Sequence, residues 1–196
     1  MDMLESLYLS KDTYNSRECL PSSFYDRKTQ TVARALLGKL LVRRLSSDKI
    51  LAAPIVEVEA YTQEDRACHA YKGPTRRCQV MFGPPGLAYV YFIYGMYHCL
   101  NVVTEAPGRG CAVLLRALDG GLRKGELSGP GKLCRALEIN LSHNGLSLLD
   151  KNSPIHILDA PEADPALIRE TPRIGISKDK HLNWRYLLEE AESFEK

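Results

Sequence analysis

The sequence predicts an α+β fold, and three observations carry that reading. Strand-like segments follow one another as neighbours while the helical segments lie between and around them, an order that fits mixed rather than alternating architecture. A chain of 196 residues with 44% hydrophobic content is long enough to bury one substantial core. No internal repeat or low-complexity linker divides it, so a single domain over residues 1–196 is expected.

The elements can be justified in order. DRKTQTVARALLGKLLVRRL places Val32, Ala35 and Leu36 at helical spacing, with Gly38 positioned to end the helix before a short strand. SSDK is a turn. ILAAPIVEVEAY then reads as a strand, in which Pro54 favours an edge position or a bulge because it cannot donate a ladder hydrogen bond. Residues 62–86 have the Gly, Pro and polar composition of a long loop, and loops of that length in compact domains are often functional. LAYVYFIYGMYHCLNVVTE predicts a β-hairpin turning at Tyr94-Gly95-Met96, with β-branched and aromatic arms. CAVLLRAL follows as a buried strand, SGPGKLCRAL opens a helix, and a second short helical stretch comes next. SPIHIL and RIGIS are expected as short strands, with LNWRYLL near the end.

Composition narrows the function classes. No apolar run approaches the roughly 20 residues that cross a bilayer, and MDMLESLYLSKD lacks the basic and apolar regions of a secretory leader. A soluble, intracellular protein without membrane association is expected, in the cytoplasm or nucleoid if the source is bacterial. The six cysteines form no CxxC pair, so reduced thiols are expected. Net charge is +2, but residues 66–135 hold ten basic residues against three acidic ones. That segment therefore carries +7 and the remainder −5, with much of the negative charge in LLEEAESFEK. A segregated basic middle suits a polyanionic partner, although ordinary surface scatter explains it as well.

Two constellations suggest chemistry. In IVEVEAY, alternation puts Glu57, Glu59 and Tyr61 on one face of the strand and Val56, Val58 and Ala60 on the core face. A partly buried carboxylate either pairs with a basic residue or does chemistry, because an unpaired buried charge is costly. Both readings stand for each glutamate, and Glu59 is the better catalytic candidate because it adjoins Tyr61 and the loop carrying His69. The second constellation is the run Tyr89, Tyr91, Tyr94 and Tyr97. Tyr89 and Tyr91 share a strand face and can fill a core, whereas Tyr94 at a hairpin tip is either exposed by accident or a wedge between bases.

Other motifs are excluded. SGPGK lacks the spacing of a phosphate loop, though a helix opening there could hold one phosphate with help from Lys132. Cys68-His69 and His98-Cys99 match no usual zinc spacing, and no metal or other cofactor is expected. There is neither a nucleophile elbow nor a GxGxxG.

EVEAY, His69, VMFGPPG, YVYFIYGMY, CLNVV, VLLRAL and SGPGKLCRAL, in that order, resemble the alkyladenine (3-methyladenine) DNA glycosylase family from about Ala33 to Asn140, with weaker echoes in RIGISKD and WRY. The resemblance implies a curved, mainly antiparallel sheet with a protruding hairpin and no catalytic metal. It implies a monomeric base-excision enzyme that flips alkylated or deaminated purines out of double-stranded DNA and hydrolyses the glycosidic bond. Residue by residue, it makes Glu59 the general base and Arg116 a holder of the attacking water. Tyr61, His69 and Tyr91 become the walls around the flipped base, Asn101 a screen of its edge, and Tyr94 the plug in the duplex. Arg77 and Lys132 would touch the DNA backbone. The chain departs from the pattern at Arg76, where proline is usual, at Cys78, where asparagine is usual, and at Leu87, where a polar residue is frequent. The rivals are a non-catalytic nucleic-acid-binding module, which leaves Glu59 idle, and a small-molecule hydrolase, which leaves Tyr94 unexplained.

Overall fold

The fold is described here from a computed structural model covering residues 7–46, 49–119 and 127–189. Arg123, Lys124 and Glu126 of the basic middle, and most of the acidic tail, lie outside the described residues. Three short helices, α1 (Lys11–Asn15), α2 (Ser22–Tyr25) and α3 (Thr29–Leu36), lead into strands β1 (Leu40–Arg44) and β2 (Ile50–Tyr61). The hairpin strands are β3 (Ala88–Ile93) and β4 (Tyr97–Val103), and β5 (Ala112–Leu118) follows. Helix α4 (Pro130–Ala136), β6 (Ile155–Leu158), β7 (Ile168–Thr171) and β8 (Arg185–Leu188) complete the fold. Among the described residues no helix is long and apolar enough to cross a membrane.

The sheet runs β3-β4-β5-β2-β1-β6, with β8 joining β2 and β7 joining β8. Every pairing is antiparallel, so the class is α+β as the element order predicts. Strand β2 organises the whole. Its first half pairs with β1 from Ile50 to Pro54, and from Glu57 onward β8 takes over that edge while β5 lies along the other. The β2–β5 register shifts between Ile55 and Val58, and such a bulge bends a strand and curls its sheet.

That bulge fulfils one expectation and corrects another. Pro54, expected at an edge or a bulge, lies just before the bulge in an interior strand, where its carbonyl accepts from the amide of Asp119 at 2.8 Å. The extra residue also resets the alternation, so the core side chains are Leu51, Ala53 and Ile55 before it and Val58 and Ala60 after it. Val56 is left half-buried outside the core. From α3 the core takes Val32, Ala33 and Leu36, with Ala35 half-buried outside it, and from α4 it takes Leu133 and Cys134.

The hairpin is buried at its base and bare at its tip. Ala88, Val90, Leu100 and Val102 belong to the main core, whereas Phe92, Tyr94 and Met96 are exposed. Tyr94 (φ +54°) and Gly95 (φ +69°) are the two central residues of a left-handed turn closed by Met96 N–H donating to Ile93 O. Such turns match the twist of hairpin strands, but a tyrosine in that conformation is uncommon and costs energy. Gly131 in the first turn of α4 lets the helix approach the hairpin closely, since a Cβ there would stand 2.8 Å from the Tyr97 ring.

Two further expectations change. RIGIS is irregular rather than a strand, because Arg173 is buried in an ion pair and Gly175 has φ +76°. The strand in that region is β7, just before it. The second helical stretch is a single 3-10 turn at Leu141–His143, capped reciprocally by Asn140 and His143. All six cysteines are free thiols.

Candidate active site

The two glutamates of β2 differ in partners rather than in direction. Glu57 Oε1 accepts from Arg116 Nε at 2.7 Å and from Arg185 Nε at 2.6 Å, which makes it the structural ion pair. Glu59 is 0% exposed and is held by three groups. The Tyr61 hydroxyl donates to its Oε2 at 2.8 Å, the Ile174 amide donates to its Oε1 at 2.8 Å, and Arg116 Nη1 stands 3.3 Å from Oε1. Arg116 thus bridges both carboxylates, and its cation gains more from Glu59 and Glu57 than burial takes away. Burial, then the neighbouring Glu59 carboxylate, drives the Tyr61 hydroxyl far above its ordinary range, so it remains a proton donor to Glu59.

Glu59 is nevertheless in the wall of a cavity of about 620 Å³, the size of small-ligand sites in general. Tyr61, His69, Tyr91, Asn101 and Arg116 share that wall, with Tyr94 and Lys132 at its lining too. Of the residues singled out from the sequence, Glu57 and Arg77 do not line it; the Arg77 guanidinium instead stands over the Tyr91 ring, 5.1 Å from the centroid.

The aromatic walls are locked against one another. His69 packs edge-on against Tyr91, with ring centroids 4.7 Å apart, and His69 Nδ1 shares a 2.9 Å hydrogen bond with the Tyr89 hydroxyl. Burial, assisted by the charge of Arg77, lowers the His69 pKa to about 4, so the imidazole is neutral at physiological pH. Asn101 Nδ2 donates to Tyr89 O at 3.0 Å, which fixes the amide plane at the cavity edge. Cys68 and Cys99 also face the cavity, but burial raises both thiols, Cys68 to about 12, so neither supplies a thiolate. Among the described residues no group of three His, Cys, Asp or Glu side chains could hold a metal ion.

Arg173 opens RIGISKD, a weak echo in the sequence that carries no local mark of its role. Its side chain is fully buried and ion-paired to the equally buried Asp65, and its Nη1 donates to Ala60 O at 2.9 Å. The guanidinium also lies 4.6 Å from the centroid of Tyr61 and 5.3 Å from that of Trp184. Arg173 therefore backs one donor to Glu59, the Tyr61 hydroxyl, and adjoins in sequence the other, the Ile174 amide. Arg185, the second partner of Glu57, lies in the equally weak echo WRY, and both reach β2 from more than a hundred positions away.

The basic middle is partly consumed inside the protein. Arg66 pairs with Asp179, Arg109 with Glu64 and Glu105, and Arg116 with the two glutamates.

Comparison with known proteins identifies the family. Residues 23–192 match the family model described as methylpurine-DNA glycosylase (MPG). Three similar curated proteins each carry the name "Putative 3-methyladenine DNA glycosylase". The one from Methanoculleus marisnigri is 48% identical, covering 86% of this chain and 94% of the relative. That from Trichodesmium erythraeum is 42% identical over 92% and 99%, and that from Herpetosiphon aurantiacus 40% over 89% and 87%. A match over most of the chain, on a fold that gathers Glu59, Tyr61, His69 and Tyr91 around one cavity, makes this protein a member of the methylpurine-DNA glycosylase family, a DNA glycosylase of base excision repair.

Proposed function

We propose that the protein rotates an alkylated or deaminated purine of the 3-methyladenine, 7-methylguanine or hypoxanthine class out of double-stranded DNA into this cavity, and hydrolyses its N-glycosidic bond there. The observation that carries the reading is Glu59, a carboxylate shut off from bulk solvent yet forming the wall of an aromatic cavity lined also by the exposed hairpin-tip tyrosine.

A base inside a duplex is out of reach of a water aimed at C1′, so the nucleotide must leave the stack at a cost of a few kcal/mol. Tyr94, 79% exposed on a turn that projects from the sheet, offsets that cost by filling the gap. Tyr61, His69 and Tyr91 then hold the base by stacking, and Asn101 screens its edge. Glu59 takes a proton from the water as its oxygen bonds to C1′, and the carboxylate stabilises the positive charge that develops on the sugar while the base departs. Arg116 helps hold that water. Its link to Glu57 keeps the guanidinium in place, so Glu57 serves the site without touching substrate. The products are the free base and an abasic site. A cationic base leaves neutral and the Glu59 proton returns to solvent, whereas a neutral base takes up one proton as it leaves, so that charge balances. No amine nucleophile takes part, so the strand is not cut. Arg77 and Lys132 contact the backbone beside the flipped nucleotide.

The test is base release from duplexes carrying 3-methyladenine or hypoxanthine, followed by abasic-site detection. Release without strand cleavage is expected, and a protein that frees no base from any lesion would be a binding module instead. For the hairpin, Tyr94→Ala is expected to weaken binding of damaged duplex about ten-fold, in line with roughly 1–3 kcal/mol for one aromatic–base stack. Equal affinity of the two proteins in a titration would remove Tyr94 from the wedge role.

A further inference from the structure

Tyr91 is one of the walls on which a flipped base would stack, and Arg77 stands over that ring. The guanidinium lies 5.1 Å from the ring centroid, within cation–π range, yet does not line the cavity, so it uses the ring's electron density without occupying the space of a base. Its other polar contacts are with the neutral Tyr89 hydroxyl and a long one, Nη2 to Phe92 O at 3.5 Å, and among the described residues no carboxylate pairs with it, so none of them offsets its charge. The opposite situation holds at Tyr61, where the guanidinium of Arg173 also stands on the ring but is neutralised by Asp65.

Resting on the function proposed above, we infer that Arg77 is a specificity-determining residue that weights the pocket towards neutral purine lesions. A cationic alkylated base gains stacking energy from an aromatic face through the ring quadrupole, and a neutral deaminated base does not. A fixed guanidinium on the same ring repels the second cation and offsets that gain. The neutral base stacks on Tyr91 unaffected. The charge of Arg77 does reach the cavity, since it helps to depress the pKa of His69, which faces the same space.

The experiment compares single-turnover release of 7-methylguanine, a cationic base, with that of hypoxanthine, a neutral one, from otherwise identical duplexes. Arg77 is exposed, so its replacement should leave the fold intact, and contacts it makes to the DNA backbone cancel in the ratio of the two rates. Arg77→Met is expected to raise the 7-methylguanine to hypoxanthine ratio about three-fold or more, whereas Arg77→Lys, which keeps the charge, stays within about two-fold of the parent. A ratio unchanged in Arg77→Met, with both rates falling together, would overturn the inference and leave Arg77 a backbone contact, the glycosylase reading being untouched. A parent protein that releases neither base would overturn both.

Discussion

Glu59→Gln abolishes base release by at least about 10³-fold, close to 4 kcal/mol of lost transition-state stabilisation, while affinity for damaged duplex stays within a few-fold of the parent. The substitution preserves volume, which matters in a side chain with no solvent exposure. An amide oxygen can still accept from the Ile174 amide, and the Tyr61 hydroxyl can turn to accept from the new NH₂ group, so both contacts survive with one reversed. Arg116 keeps its 2.7 Å bond to Glu57. What disappears is the negative charge and the basic lone pair, the two properties that deprotonating water and steadying a cationic sugar require. Single-turnover release and an equilibrium titration with the same lesion duplex separate the two effects. Unchanged release would take Glu59 out of the chemistry.

Much of this site was legible because its parts are local in sequence. The alternation in ILAAPIVEVEAY marks a strand that the structure returns from Ile50 to Tyr61, and the turn at Tyr94-Gly95-Met96 follows from β-rich arms around a glycine. Period-2 reasoning placed Tyr89 and Tyr91 on one face, and both line the cavity. It failed where one residue interrupts the period: the bulge after Ile55 moves Val56 out of the core, and no local signal besides Pro54 points to it. It failed again at RIGIS, where Ile174 and Ile176 alternate as in a strand but Arg173 is held by a residue 108 positions away. Glu57 and Glu59 look alike in the sequence for the same reason. Arg185, on β8, is what makes the first a structural ion pair and leaves the second to the cavity. Local periodicity writes elements; the distant charges that assign their roles become neighbours only after the sheet closes.

Asp65→Asn tests the most costly of those distant contacts. Asp65 and Arg173 both have fully buried side chains, and Nε and Nη2 of Arg173 already lack hydrogen-bond partners. Removing the carboxylate charge strands a guanidinium in the interior, and breaking a buried pair from one side costs about 3–5 kcal/mol. For a domain of this size that lowers Tm by about 10 °C or more. Asparagine still accepts from the Ala67 amide, which bonds Asp65 Oδ1 at 2.9 Å, so the turn itself is retained and the loss reports the charge. The stranded cation also loosens its hold on Tyr61 and on the segment leading to Ile174, the two donors that orient Glu59. Base release per folded molecule should therefore fall at a temperature where the variant remains native. Arg173→Met is expected to be destabilising on its own, but the double variant should cost less than the two single ones together, because no unpaired charge is left. Thermal denaturation of the four proteins closes the cycle. A melting temperature for Asp65→Asn within 2 °C of the parent, an allowance of about 1 kcal/mol, would mean that Arg173 is not held by charge and that its place behind Tyr61 needs another cause.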